Sequence, residues 1–210
     1  MVITYHGLQF VKIQQGETLI VFNPPQKTNR FGATIGLSSL NDPDFNGVDN
    51  LSHGDKVPLL ITGPGEYERQ GIFIQGFGVP TSYKGKDKIN TIYFLTVDGM
   101  RICFLGALSK PALSEEIEES ITEVDLLFTP IGGGDVLSPV DALKVSQILE
   151  AKIIIPTHYE KPARAGGDGA PPLKKFLEEY GESVAPVEKL TVRKKDFEGK
   201  EGEVVVLKQT

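Results

Sequence analysis

The sequence predicts an α+β protein in which two mixed β-sheets pack face to face, with helices on the outside. Two observations support this prediction. The first half of the chain contains apolar segments with the two-residue alternation of strands, separated by turn sequences. In the second half, strands alternate with helices. The 210 residues, of which 40% are hydrophobic, fit one domain over residues 1–210 with a packed core.

Tight turns mark the predicted hairpins of the first half. The segments LQFVKI and ETLIVF flank Gly16, and NTIYFLTV and MRICFLG flank the pair Asp98-Gly99, which is typical of two-residue hairpin loops. The run VPLLIT ends at a Gly-Pro-Gly turn, and GIFIQGFGV alternates again. We therefore predict strands over these segments and a turn at GPGEYE, residues 63–68.

Predicted helices of the second half carry recognisable end signals. Ser114 opens the acidic segment SEEIEESI, and Ser138 caps SPVDALKVSQILEA with Pro139 at the first helical position. Gly181 ends the short helix PPLKKFLEEYG, which follows a predicted surface loop at Lys161–Pro172. The apolar positions that suit one face of the second helix are Val140, Leu143, Ile148 and Leu149. The runs DLLFTP, KIIIP, KLTVR and EVVVLK are predicted strands.

Charge and composition argue against several classes of partner. The net charge of −6 disfavours nucleic acid, and the short basic run Arg193–Lys195 is typical of a solvated turn. The single cysteine, Cys103, lies in an apolar run and predicts a buried thiol in a reducing compartment. The sequence has no leader pattern and no apolar run long enough for a membrane span. We therefore expect a cytoplasmic protein without a membrane partner.

The stretch SSLNDPDFNG, residues 38–47, groups acidic and amide side chains around a proline and a phenylalanine. Its DPDFNG part matches the first six positions of an EF-hand calcium loop, but His53 stands where that loop needs a bidentate glutamate. The flanking segments are also unlike helices. A turn in which Asp42, Asp44 and Asn46 bond to nearby backbone groups is the simpler interpretation, and a calcium loop stays an alternative.

Several segments follow one another in the order found in the metallo-β-lactamase fold superfamily. FNPP, residues 22–25, resembles the family's strand that ends in Asp-Pro, and NTIYFLTVDGMRICFLGAL resembles a later hairpin. VDLLFTPIGGG resembles the family's next strand with its glycine turn, and AKIIIPTHYE resembles its IPxHy ending, which contains His158. The resemblance spans residues 2–160 and is closest to the branch that includes ascorbate-phosphate lactonase-like hydrolases. It implies an αββα sandwich.

The same resemblance implies a two-metal site, with ligands from a T/S-H-x-H-x-D-H loop, a later His, a later Asp and a final His. Placed on this sequence, the loop aspartate is Asp44, the final histidine is His158, and Asp42 stands at a histidine position. The other expected ligands are replaced by Leu40, Phe45, Phe104 and Ala107. Because a catalytic zinc needs about three protein ligands and room for water, these replacements indicate a site converted to core or to an apolar cleft.

Two interpretations of function follow. In the first, the chain is non-catalytic and has no metal cofactor; it binds a small molecule in the remaining cleft or pairs with another subunit, such as a second copy of itself. His158 would then be hydrogen-bonded to the backbone or to a carboxylate, and Asp42 and Asp44 would form the turn. In the second, Asp42, Asp44 and His158 hold one zinc ion, whose bound water attacks a lactone, ester or phosphoester.

Overall fold

The computed structural model of the chain describes residues 1–55, 57–159 and 171–210. In chain order the strands are β1 (Val2–Tyr5), β2 (Val11–Gln15), β3 (Thr18–Phe22), β4 (Ile35–Leu37), β5 (Leu59–Ile61), β6 (Gly65–Arg69), β7 (Ile72–Tyr83), β8 (Lys86–Val97), β9 (Met100–Phe104), β10 (Leu126–Pro130), β11 (Ile153–Thr157), β12 (Leu190–Thr191) and β13 (Glu203–Val204). The α-helices are α1 (Glu115–Ser120), α2 (Pro139–Ile148) and α3 (Pro172–Tyr180), and short 3-10 helices cover Val48–Leu51 and Lys194–Phe197. Of the predicted loop Lys161–Pro172, residues 161–170 lie outside the described part of the chain.

The strands form two mixed sheets. The first sheet has the order β12-β1-β2-β3-β4-β5, and the second has the order β13-β11-β10-β9-β8-β7-β6. Within them, β3, β4 and β5 run parallel, as do β9, β10, β11 and β13. The other neighbours pair antiparallel. This arrangement confirms the predicted fold class.

Apolar residues of both sheets meet in one buried core. Ile13 and Phe22 of the first sheet belong to the same cluster as Ile102 and Phe128 of the second. A second cluster joins the opposite face of the second sheet to apolar residues of α1, α2 and α3. The outer face of the first sheet is covered by the 3-10 helix at Val48–Leu51 and by nearby loops. The core therefore has the layers expected of a sandwich.

Both predicted hairpins are confirmed, at Gly16 and at Asp98-Gly99, and all three turn residues have positive φ. The predicted turn at GPGEYE is wrong in its second half, because Gly65–Arg69 forms β6 and pairs with β7. The strands β7 and β8 are 12 residues each, longer than predicted. They are joined by a two-residue turn, Lys84-Gly85, with φ values of 53° and 70°.

The predicted helix ends are confirmed. The Ser114 and Ser138 hydroxyls accept hydrogen bonds from backbone N–H groups of the first turns, and Gly181 ends α3 in the left-handed conformation. The predicted apolar face of α2 is wrong at two of its four positions: Leu143 and Leu149 pack into the core, but Val140 and Ile148 are 42% and 46% exposed. The buried face is made by Ala142, Val145, Ser146 and Leu149. These residues have the i, i+3, i+4, i+7 spacing of one helix face, whereas Val140 lies on the opposite side.

Loops at the carboxyl ends of the parallel strands bring the two sheets together. Asn23 follows β3, Ser38 and Ser39 follow β4, and His158 follows β11. Carboxyl ends of parallel neighbours lie at the same edge of a sheet. Hydrogen bonds from Asn23 through Gln9 to His158 then join the edges of the two sheets at one end of the sandwich. Within the described ranges, no helix is long and apolar enough to cross a membrane.

Candidate functional site

The loop after β4 is a compact turn organised by Asp42. The Asp42 carbonyl accepts the N–H groups of Phe45 and Asn46, at 2.8 and 2.9 Å. Asp42 Oδ1 accepts the Asp44 N–H at 3.2 Å. Side-chain and backbone bonds of this kind are the usual reason for Asp and Asn in tight turns, so the structure supports the Asx-turn interpretation for Asp42. The Asn46 amide instead donates to the Asn41 side chain, at 3.3 Å.

The carboxylates of this turn face lysine side chains. Lys84 Nζ lies 2.7 Å from Asp42 Oδ1 and 3.0 Å from Asp44 Oδ2, and Lys88 Nζ lies 3.2 Å from Asp42 Oδ2. Burial alone raises the pKa of the Asp42 carboxyl, but the hydrogen bonds from Lys84, Asp44 N–H and Lys88 outweigh burial and hold this pKa below its usual value. Asp42 is therefore charged and neutralised from within the chain.

Apolar side chains fill the space beside the turn. Leu40, Phe45, Tyr83, Ala107 and Val136 form one buried cluster. The rings of Phe45 and Tyr83 meet edge to face, with centroids 5.2 Å apart. Three of the four apolar replacements predicted from the sequence therefore lie together.

Phe104, the fourth of these replacements, is placed differently. It belongs to the core between the sheets. There its ring stacks on Phe22 at 4.5 Å and lies 5.5 Å from Phe128. Its role is packing between the layers.

His158 stands directly after β11 and is buried, with only 6% of its surface exposed. Its ring lies 6.2 Å from the Phe45 ring and 6.3 Å from the Tyr83 ring. Its backbone has a φ of 58° and donates its N–H to the Leu8 carbonyl. Gly132 packs closely against the His158 backbone, because a Cβ at position 132 would lie 2.4 Å from the His158 carbonyl oxygen. The imidazole is thus held in an aromatic pocket.

A buried polar network connects His158 to the first sheet. Gln9 Nε2 lies 3.4 Å from His158 Nδ1, and Asn23 Nδ2 lies 3.4 Å from Gln9 Oε1 and 2.9 Å from Ser39 Oγ. All four residues are buried. Buried polar groups need such partners. The predicted hydrogen bonding of His158 is therefore supported, but the ring partner is the Gln9 amide and not the predicted backbone group or carboxylate.

The orientation of this network follows from one backbone donor. The Ser39 N–H donates to Asn23 Oδ1 at 2.7 Å, which turns Asn23 Nδ2 toward Gln9 Oε1. Gln9 consequently presents its amide N–H to His158 Nδ1. Nδ1 is then an acceptor, and the neutral ring carries its proton on Nε2. In this tautomer neither ring nitrogen of His158 offers a free lone pair.

The side chains as they stand do not fit a metal ion. Asp42 and Asp44 are bound to lysine ammonium groups, and metal-ligating histidines need a free nitrogen lone pair. Within residues 1–55, 57–159 and 171–210, no three His, Cys, Asp or Glu side chains are grouped so that they could hold one ion. The ligand set Asp42, Asp44 and His158 stays a prediction that a measurement of bound metal would test.

Sequence reasoning missed the residues that complete the site. Lys84 and Lys88 are about 40 positions away from the turn they neutralise, and only the long β7–β8 hairpin brings them there. Gln9 and Tyr83 do not belong to any recognisable sequence motif. The one available signal was the Lys-Gly pair at Lys84, which is a turn sequence between two alternating segments.

The fold and the order of its segments agree with a comparison against known protein families. The model of the beta-lactamase superfamily domain matches residues 2–158. The chain therefore belongs to the beta-lactamase superfamily, as the order of its segments suggested. A relative from Bacillus licheniformis, a UPF0173 metal-dependent hydrolase, is 24% identical over 226 residues, which cover 88% of this chain and 99% of the relative.

Solved structures show the same architecture. A candidate Zn-dependent hydrolase of the metallo-beta-lactamase superfamily from Thermotoga maritima has a TM-score of 0.76 and 28% identity, covering 98% of this chain and 97% of its own. An isothiocyanate hydrolase from Delia radicum gut bacteria has a TM-score of 0.65 and 12% identity, covering 100% and 97% of the two chains. The second likeness concerns the fold alone.

Proposed function

We propose that this chain is a non-catalytic member of the beta-lactamase superfamily, which acts as a binding module. The observation that carries this proposal is the packing of Phe45 against His158, with ring centroids 6.2 Å apart. By resemblance, both positions belong to metal ligands. A phenylalanine ring supplies no lone pair and fills space that an ion and its water would need.

Hydrolysis in this fold depends on a metal that lowers the pKa of bound water to about 7. None of the side chains at the converted site replaces that function. Burial and then the charges of Asp44, Asp42 and Asp135 raise the pKa of the Tyr83 hydroxyl, so the phenol stays protonated. Burial also raises the pKa of the Cys103 thiol, which has no surface exposure. Tyr83 and Cys103 therefore supply no ionised nucleophile at neutral pH.

A cleft beside the converted site is suited to a small polar ligand. Its volume is about 410 Å³, and its lining residues are Asn41, Thr62, Gly63, Pro64, Lys88, Ile89 and Thr91. Small-molecule sites commonly have volumes of about 300–1,000 Å³ and a few polar groups that orient the ligand. We place the binding function of the module in this cleft, with the exposed Asn41 and Thr62 side chains as the orienting groups.

A metal-dependent hydrolase with an altered mononuclear site is the second candidate. The descriptions of the Bacillus licheniformis and Thermotoga maritima proteins favour it. In that case Asp42, Asp44 and His158 would have to leave their present partners before an ion could bind. The hydrogen bonds and ion pairs described above oppose that rearrangement.

Hydrolysis assays distinguish the two candidates. The wild-type protein and the Asp44→Ala and His158→Ala variants are incubated with a lactone, an ester and a phosphoester, in zinc chloride and in a chelator. We expect every rate to equal that of the buffer. Zinc-dependent turnover that both substitutions abolish would overturn the proposal.

A further inference from the structure

We infer that the cleft between the loop after β4 and the start of β8 binds a small organic carboxylate, with Lys88 as its charge partner and Pro64 and Ile89 as its apolar contacts. This inference rests on the proposed function, which places a small polar ligand in the same cleft, and it names the chemical class of that ligand. The family resemblance assigns no role to these three residues. The construction of the cleft, its charge and its hydrogen-bond donors support the inference.

The cleft lies between segments of the two sheets. Residues 62–64 follow β5 of the first sheet, whereas Lys88, Ile89 and Thr91 belong to β8 of the second. Asn41 comes from the loop after β4. Because three separate segments of the chain line one space of about 410 Å³, the cleft is part of how the two sheets meet and does not belong to a single loop.

Two glycines of β7 allow the walls of the cleft to approach each other. A Cβ on Gly76 would lie 3.2 Å from the Gly63 carbonyl oxygen. A Cβ on Gly78 would lie 3.4 Å from both Pro64 Cγ and Ile89 Cγ2. Glycine inside a strand often marks a place where a ligand or another backbone comes close. Here the glycines let residues 63–64 pack against β7, so that Pro64 and Ile89 form one apolar wall.

Hydrogen-bond donors stand opposite this apolar wall. Among the described residues that line the cleft, Lys88 alone carries a charge. Its ammonium group has three N–H donors, of which two bond to the Asn41 carbonyl and to Asp42 Oδ2, and the third is left for a ligand. Asn46 donates to Asn41 Oδ1, so the Asn41 amide keeps its own N–H donors. Together with the exposed Thr62 hydroxyl, the cleft offers ammonium, amide and hydroxyl donors.

A carboxylate matches these donors. It only accepts hydrogen bonds, and its bond to an ammonium group is stronger than that of a neutral acceptor. A phosphate dianion matches less well, because Asp42 shares the Lys88 ammonium group and would repel a second negative charge. Ile89 is 56% exposed, so an alkyl chain on the ligand would remove apolar surface from water. The ligand class is therefore a carboxylate with a short alkyl chain.

Titrations with butanoate, butanamide and butylamine test the ligand class, since these probes share a chain and differ in the head group. In ¹H–¹⁵N spectra of the full chain, butanoate should give saturable shifts at Asn41, Thr62 and Ile89. It should bind at least ~10-fold more tightly than butanamide, and acetate, which lacks the alkyl chain, should bind more weakly. Equal affinities for butanoate and butanamide, saturable binding of butylamine in the cleft, or no saturable shifts with butanoate would overturn the inference.

Two variants locate the binding. Lys88→Met should weaken butanoate binding at least ~10-fold, whereas the control Lys174→Met, which removes an exposed lysine of α3, should leave it unchanged. Gly63→Leu should abolish binding, because a Cβ at this position meets nothing within 4 Å and the side chain would extend into the cleft. This second variant decides the case in which Lys88→Met does not fold. Unchanged butanoate affinity in Gly63→Leu would place the probe elsewhere and overturn the inference.

The probe titrations and the hydrolysis assays fail separately. Zinc-dependent turnover by the wild-type protein would overturn the proposed function, whichever probe binds. A preference for butanamide or butylamine would overturn the carboxylate class and leave the proposed binding module standing.

Discussion

The ring of Phe45 lies 6.2 Å from the ring of His158, inclined by 26°. Tyr83 stands nearly perpendicular to both rings, so three aromatic side chains share one buried pocket. The resemblance to the metallo-β-lactamase fold superfamily implies metal ligands at the positions of Phe45 and His158. The contact between them shows how one end of the fold is packed when a ligand position carries an apolar ring.

Truncation of Phe45 should destabilise the protein strongly. Phe45→Ala removes a fully buried ring from the cluster with Leu40 and Tyr83, and substitutions of this kind cost about 3 kcal/mol. The control is Phe73→Ala, because Phe73 is 68% exposed and its loss should cost within about 0.5 kcal/mol. Urea denaturation of both variants measures the difference. Equal and small losses would show that Phe45 does not pack as described.

The tautomer of His158 is a second testable feature. Because Gln9 donates to Nδ1, the neutral ring should carry its proton on Nε2. Long-range ¹H–¹⁵N correlation spectra distinguish the two nitrogens directly. Gln9→Leu removes the donor and should produce a mixture of tautomers, whereas a wild-type ring protonated at Nδ1 would contradict the orientation of the network.

The pH dependence of stability should depend on Asp125, which is fully buried. Burial alone raises the pKa of this carboxyl, but hydrogen bonds from Lys152, Lys194 and the Arg101 N–H hold it below its usual value. A lowered folded-state pKa stabilises the protein above the unfolded value of about 3.9, and this stabilisation is lost as the pH falls through the folded-state pKa.

Asp125→Asn should therefore lower the free energy of unfolding at neutral pH by about 2 kcal/mol, since hydrogen bonds to a charged group are lost. The same variant should also show a flatter pH dependence than wild type below about pH 4. Asp98→Asn is the control, because Asp98 lies exposed in a turn with φ of 52°, a conformation that asparagine accepts. Denaturation curves across the acid range provide the measurement. An unchanged pH profile for Asp125→Asn would rule out this role.

Much of the fold could be predicted because its signals are local. Each of these signals acts on residues close to it in the chain. They are the turn pair Asp98-Gly99, the caps Ser114 and Ser138, and the stop at Gly181. The length of β7 and β8 could not be predicted in this way. Their outer halves contain Pro80, Lys86 and Lys88, and they extend because Ile74–Tyr83 pairs with Lys86–Leu95 without a break.

The candidate site was predictable where residues matched positions in the family pattern. That pattern brought Leu40, Phe45 and Ala107 together, and the structure places them in one cluster. The lysine partners of Asp42 could not be predicted, because an ion pair across 42 residues depends on where a hairpin ends. The orientation of His158 likewise depends on Gln9, which is 149 positions away in the chain.

The metal content of the wild-type protein tests the central claim most directly. The protein is expressed and purified without chelator, dialysed against metal-free buffer and analysed by inductively coupled plasma mass spectrometry. Because lysine ammonium groups neutralise Asp42 and Asp44 and the Phe45 ring packs against His158, we expect far less than one zinc or other divalent ion per chain. One or two equivalents that survive dialysis and disappear in Asp44→Ala would contradict the claim.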